Sequence, residues 1–316
     1  MAPPAWKVRL FLWSNALGAV LHWTGVVVAL FLADLTTEVP LLTTRADILN
    51  ASDPSQGICI RIVEAARFAP GFLAPLWFFL SAVAHTLVAT SLATGSANWY
   101  WNSLERGMSL HRWLEYAASS SVMVLAASVL ITTRSAELVA ASTLSMFVTM
   151  LFGLASESNY QRFIVDRDVL AEGEKLLDFP GGASEPMGKE WKQGTFFARS
   201  WPHLIGYVPF VLSWALLLSS YEQATDAFID SGAVEDLRIA PYMALLAFIV
   251  FGVPQLALLL RKDGPSLAWI AELVYIALSI SAKVVFAGLL LSQGLSVEAM
   301  SRAKAVDVRI AGECVS

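Results

Sequence analysis

Cysteine is nearly absent from this chain. Two in 316 residues, Cys59 and Cys314, are too few and too far apart for a zinc site or a disulfide framework. Charge is scarce as well: 15% of residues are Asp, Glu, Lys or Arg, against about 25% in soluble domains. The net charge of −5 offers nucleic acid no basic surface. Histidines number four, and neither a repeat nor a low-complexity tract is present. The N-terminal MAPPAWKVRLFLW is not the start of a cleaved leader, because the apolar stretch it opens is too long and holds a histidine and two tryptophans. It reads as a retained first helix. What the chain has in abundance is apolar residues, 56% of the total. They gather in runs of about 20, the length of a membrane-spanning helix, rather than the ~10 of a barrel strand. The expected fold class is all-α membrane, set in a lipid bilayer.

Seven spans are expected, roughly at 8–33, 71–94, 110–132, 136–156, 202–221, 239–260 and 266–292. Two connections are long. The first, 34–70, contains TTEVPLLTT and GICIRIV, β-prone runs able to pair as a hairpin. The other, 158–199, is charged and broken by Pro-Gly-Gly at 180–182. With the N-terminus in the cytoplasm, inner segments carry 12 basic residues and outer segments 8, with Lys283 inside a span. This bias favours a cytoplasmic N-terminus, an extracellular loop 34–70, a cytoplasmic loop 158–199 and an extracellular tail 293–316. The sequon Asn50-Ala-Ser52 then falls outside. So do Cys59 and Cys314, where a disulfide between them is an expectation.

Lys283 interrupts the last apolar run, and a lysine in hydrocarbon costs about 2.5–3.5 kcal/mol on insertion scales. Such a residue needs a partner, and Glu115 in the third span is the best available. At about 100° per residue, Ser279, Tyr275 and Glu272 share the face of Lys283. Ser119, Arg112, Met123 and Tyr116 lie on the side of Glu115 in the same way. Glu272 is eleven residues from Lys283, about 16 Å along the axis, too far to serve as its counterion. A lone lysine in a late helix facing a carboxylate in an early one suggests a retinal attachment point and its counterion; a structural ion pair is the alternative. His22 and His85 sit near mid-membrane, either as packed core residues or as a pocket that can take a proton. No third ligand accompanies them, so no metal site is expected. Phe248, Phe251 and Gln255 lie on one face of the sixth span, which Pro254 should kink. Tyr207, Pro209, Phe210 and Trp214 populate the fifth. These aromatics are either plain packing or the walls of a flat slot.

The stretch HRWLEYAASSSVM resembles the third helix of heliorhodopsins, and AELVYIALSISAK resembles their seventh. LFGLASESN resembles the end of their fourth helix. His22, His85, Phe248 and Gln255 match positions of the same family, and the resemblance extends over about residues 8–292. It implies a seven-helix rhodopsin-like bundle of inverted topology, with a β-hairpin between helices 1 and 2, and a homodimer. It implies all-trans retinal on Lys283 with Glu115 as counterion. The pocket would be built from Ser279, Tyr116, Ser119, Ser120, Met123, Met150, Phe210, Trp214, Phe248, Phe251 and Gln255. His22 and His85 would form the proton-accepting polar region.

The function expected is a light sensor with a slow photocycle, no ion pumping, no enzymatic activity, and an unidentified signalling or transport partner. A light-gated or light-driven proton transporter on the same fold is the rival, with Glu272 and Glu157 as its candidate carboxylates. A seven-helix receptor without retinal, in which Lys283–Glu115 is structural, is a third reading.

Overall fold

The computed structural model describes residues 3–48, 58–105, 107–130, 135–176, 196–229, 240–260 and 268–293. Cys314, Asn50 and Ser52, the Pro-Gly-Gly at 180–182 and the tail beyond Gln293 lie outside these residues. The helices described are α1 (Ala5–Leu32), α2 (Leu73–Ala93), α3 (Asn98–Glu105), α4 (Leu110–Leu130), α5 (Ala136–Leu176), α6 (Phe196–Ile229), α7 (Ala240–Leu260) and α8 (Ala268–Gln293). Six of them, all but α3 and α4, contain stretches long and apolar enough to cross a membrane. α4 is 21 residues long and packs against α2, α5 and α8. Arg112, Glu115 and its serines lower its hydropathy, so the expected third span stands as a helix of the bundle outside those six.

Between α1 and α2 stands the expected hairpin. β1 (Val39–Ile48) pairs antiparallel with β2 (Ile58–Phe68), from Val39 opposite Phe68 to Ile48 opposite Ile58, with a bulge at Leu41/Leu42. A local network launches it. The carboxylate of Asp34 accepts hydrogen bonds from the backbone N–H and hydroxyl of both Thr36 and Thr37. These bonds, led by the Thr37 hydroxyl, hold the Asp34 carboxyl well below the usual carboxylate range. The chain just before α2 presses on this network: a Cβ on Gly71 would fall 1.9 Å from the Asp34 carbonyl oxygen, so only glycine fits. Val39 is buried against Val129 and Val139, and the Thr43 hydroxyl donates to Glu137, so the hairpin is docked on the end of the bundle where α5 begins.

Two helical features depart from the sequence reading. α5 does not stop at the membrane boundary near 156; it continues to Leu176 through what reads as a loop. Hydropathy falls there, which ends a span, but SNYQRFIVDRDVLAEGEKL holds no proline to end a helix. α3 was not expected at all. It lies between Gly95 and Gly107, both at positive φ (73° and 70°), and turns Tyr100 and Leu104 inward at helical spacing. Pro254 lies inside α7, whose helix runs through it to Leu260.

The main core gathers aromatic and aliphatic side chains of α2, α4, α5, α6, α7 and α8, with Trp77, Tyr275 and Phe286 fully enclosed. Leu, Val and Phe along the outer faces of α1, α6 and α7 stay exposed, as lipid-facing residues must.

Candidate functional site

The lysine side chain leans toward the N-terminus of its helix, which carries Lys283 Nζ back over Ser279. Nζ donates to Ser279 Oγ at 2.8 Å and to Glu115 Oε1 at 2.7 Å. The two charged side chains are 4% and 9% exposed, so each carries its charge at a large desolvation cost unless paired with the other. Ser81 of α2 places its hydroxyl 2.5 Å from the same Glu115 oxygen. The Tyr116 ring lies under the ammonium, its centroid 5.3 Å from Nζ.

A small apolar pocket adjoins Lys283, lined by Tyr116, Ser119, Ser120, Met123, Met150, Phe248, Phe251, Ala282 and Lys283. A larger pocket shares Tyr116, Met150, Phe248 and Phe251 with it and continues past Phe210, Gln255 and Tyr207 toward His203. Glycines set the walls. A Cβ on Gly153 would meet the Trp113 ring at 2.1 Å, and one on Gly252 the Tyr207 hydroxyl at 2.3 Å. The Ser119 hydroxyl is buried and finds no hydrogen-bond partner among the described residues. An apolar pocket with a single amine on its wall fits a polyene aldehyde. Trp214 does not line either space; it stands behind Phe248, ring centroids 5.5 Å apart, as a backing wall.

His22 and His85 come together on α1 and α2, rings stacked with centroids 5.2 Å apart and planes 14° from parallel. They lie within electrostatic reach of Lys283 and Glu115. His85 Nδ1 is 2.9 Å from Asn15 Oδ1, whereas neither nitrogen of His22 has a partner among the described residues.

A second charged cluster, not foreseen from sequence, lies where α4 and α8 begin. Arg112 bonds to Glu157 of α5 and to Glu272 of α8, all three buried. The Ser109 N–H donates to Glu157 at 2.8 Å, and His111 Nε2 stands 3.5 Å from Glu272. The guanidinium sits 4.1 Å from the centroid of the Tyr275 ring. Tyr275 donates to Gln255 at 3.2 Å and its carbonyl accepts from Tyr116 at 2.9 Å, which ties this cluster to the slot. Glu157 and Glu272 are thus engaged carboxylates, not free stations along a pore. Ser81 and Asn15 were also missed. Each is an ordinary polar residue whose role depends on a helix distant in sequence.

Comparison with known proteins agrees with this geometry. The heliorhodopsin family pattern matches residues 10–168, half of the chain, a stretch that holds His22, His85 and Glu115 and stops short of Lys283. No curated protein matches the chain. Among solved structures, that of thermophilic rhodopsin superposes with a TM-score of 0.56, covering 97% of this chain and 99% of that one at 10% identity. At that identity the likeness shows the fold alone, a rhodopsin fold. The chain therefore belongs to the heliorhodopsin family, light-sensing membrane proteins whose chromophore is retinal.

Proposed function

We propose that this chain is a light sensor that binds all-trans retinal through Lys283 as a protonated Schiff base, with Glu115 as the direct counterion. The observation that carries the reading is the Lys283–Glu115 pair, 2.7 Å apart beside an apolar pocket. Retinal, once bound, supplies the visible absorption and the light-driven change of shape. The residues do the rest. Glu115 holds positive charge at the Lys283 nitrogen, and Ser279 and Ser81 orient the two partners. Tyr116, Met123, Met150, Phe248 and Phe251 exclude water and confine the polyene, with Phe210 and Gln255 further along. His22 and His85 take the proton that leaves the Lys283 nitrogen after light.

The same reading places the N-terminus in the cytoplasm, loop 34–70 outside, loop 158–199 inside and the tail 293–316 outside. It also holds that the protein does not pump. Glu157 and Glu272 are both bound to Arg112, so neither is a free acceptor beyond the histidines. The slow return of the proton would instead be read as a signal by a partner, from a homodimer.

Adding all-trans retinal to purified apoprotein tests the core of this. A visible band is expected in wild type and none in Lys283→Ala, with circular dichroism unchanged. Full colour in the variant, with retinal still covalently attached, would refute the assignment. Light-induced pH changes in cell suspensions should be negligible. A protonophore-sensitive signal would replace the sensor with the transporter.

A further inference from the structure

The amide of Asn15, which also has the Tyr100 hydroxyl nearby, makes two hydrogen bonds among the described residues, and together they fix its orientation. Its Nδ2 donates to the Phe11 carbonyl at 2.9 Å, one turn back on α1. A carbonyl oxygen only accepts, so the group facing it must be the NH₂. The other amide atom, Oδ1, therefore faces His85 Nδ1 at 2.9 Å. That oxygen also only accepts, so Nδ1 must carry the hydrogen. The ring cannot easily turn to exchange its edges, because it is pressed against α1 at Gly18. A Cβ there would lie 3.0 Å from His85 Cγ and 3.1 Å from Nδ1.

We infer that Asn15 is a positioning residue that locks neutral His85 in its Nδ1–H tautomer and leaves Nε2 as the single atom able to take a proton. This rests on the reading of His22 and His85 as proton acceptors. His22 has no such anchor: both its nitrogens are buried and unpartnered among the described residues. The pair is thus unequal, with one ring held and the other free. When the proton leaves the Lys283 nitrogen and joins Nε2, His85 becomes a cation. Its Nδ1–H bond to Asn15 then becomes charge-assisted and stronger. Asn15 stabilises the proton on the histidine and slows its return.

Histidine-selective ¹⁵N labelling tests the tautomer in the dark, without photochemistry, in a chain with four histidines. A spectrum of His85→Gln assigns the signal. Wild type should show His85 protonated at Nδ1 and bare at Nε2. Asn15→Leu should lose that preference and Asn15→Asp should keep it. Gly18→Ala should also lose it, with Asn15 intact, by pushing the ring off its acceptor. A wild-type His85 protonated at Nε2, or a tautomer indifferent to Asn15→Leu, would overturn the inference. In flash photolysis of the retinal-bound protein, Asn15→Leu should speed recovery of the visible band by about tenfold, the scale of one hydrogen bond to a charged group. Asn15→Asp should not speed it. An altered tautomer with unaltered kinetics would leave the lock standing and remove His85 from the proton path.

Discussion

Replacing Glu115 with glutamine removes one charge and little else. The amide keeps the length of the side chain and can still meet Ser81 and Lys283. In the protein, Glu115 Oε1 lies 2.7 Å from Lys283 Nζ. At an effective dielectric of about 20, unit charges at that separation attract by about 6 kcal/mol. Each pKa unit corresponds to 1.36 kcal/mol, so the full Coulomb loss would move the protonation midpoint of the Lys283 nitrogen down by about 4 units. Ser279, 2.8 Å from Nζ, and the new amide oxygen return part of it. A drop of about 2–4 units is expected on these grounds. The assay is a spectrophotometric titration of the retinal-loaded protein, following the pH at which the visible band bleaches. The protonated pigment that remains should be shifted to the red, because a fixed negative charge beside the nitrogen stabilises the ground state more than the excited state. Glu115→Asp keeps the charge and should fall between the two. A midpoint and a spectrum that both stay in place would mean the counterion lies elsewhere. Among the described residues, the other buried acids near the slot, Glu157 and Glu272, are both engaged by Arg112.

Further outcomes follow from other parts of the bundle. Arg112→Gln leaves two buried carboxylates without a cation, which should cost about 3–5 kcal/mol and show as a lower thermal bleaching temperature; adding Glu157→Gln and Glu272→Gln should restore most of it. The Asp34 carboxyl is held below its unfolded value, so its stabilisation is fully present above about pH 4 and is lost as the pH falls below that. Thermal melts from pH 6 to pH 3 should therefore decline more steeply in wild type than in Asp34→Asn, which starts lower, and parallel slopes would refute the role. Gly252→Val should narrow the slot beside Tyr207 and reduce retinal uptake, measured as the yield of the visible band, while Ile249→Val on the lipid-exposed rim of the same space should leave it unchanged.

Where apolar residues are so abundant, the rare charge is conspicuous, and that made Lys283 and Glu115 legible without coordinates. Helical periodicity then put Ser279 beside the lysine, and Tyr116, Ser119 and Met123 around the carboxylate. The hairpin was legible from its β-branched runs. Partners contributed by other helices were not. Ser81 touches Glu115 across 34 positions of sequence, and nothing in LSAVAH distinguishes it from a serine facing lipid. Arg112 has the periodicity of the Glu115 face, yet its long side chain reaches Glu157 and Glu272, near span ends where sequence alone suggests contact with water. The length of α5 was misjudged for a related reason. Hydropathy reports the solvent around a helix, whereas its end is set by breakers and caps.

The glycine contacts around the slot have a consequence for how such a protein changes over time. Where ring meets bare backbone, as Trp113 does at Gly153 and Tyr207 at Gly252, the spacing between helices is set by a missing methyl group. A single added carbon at either position would push two helices apart or force an aromatic ring to turn. The chamber would then be reshaped while every charged residue in it stayed the same. Variation in colour tuning or recovery speed among close relatives of this chain would therefore be sought first at these small residues, which line the chamber with bare backbone, and only afterwards among its charged groups.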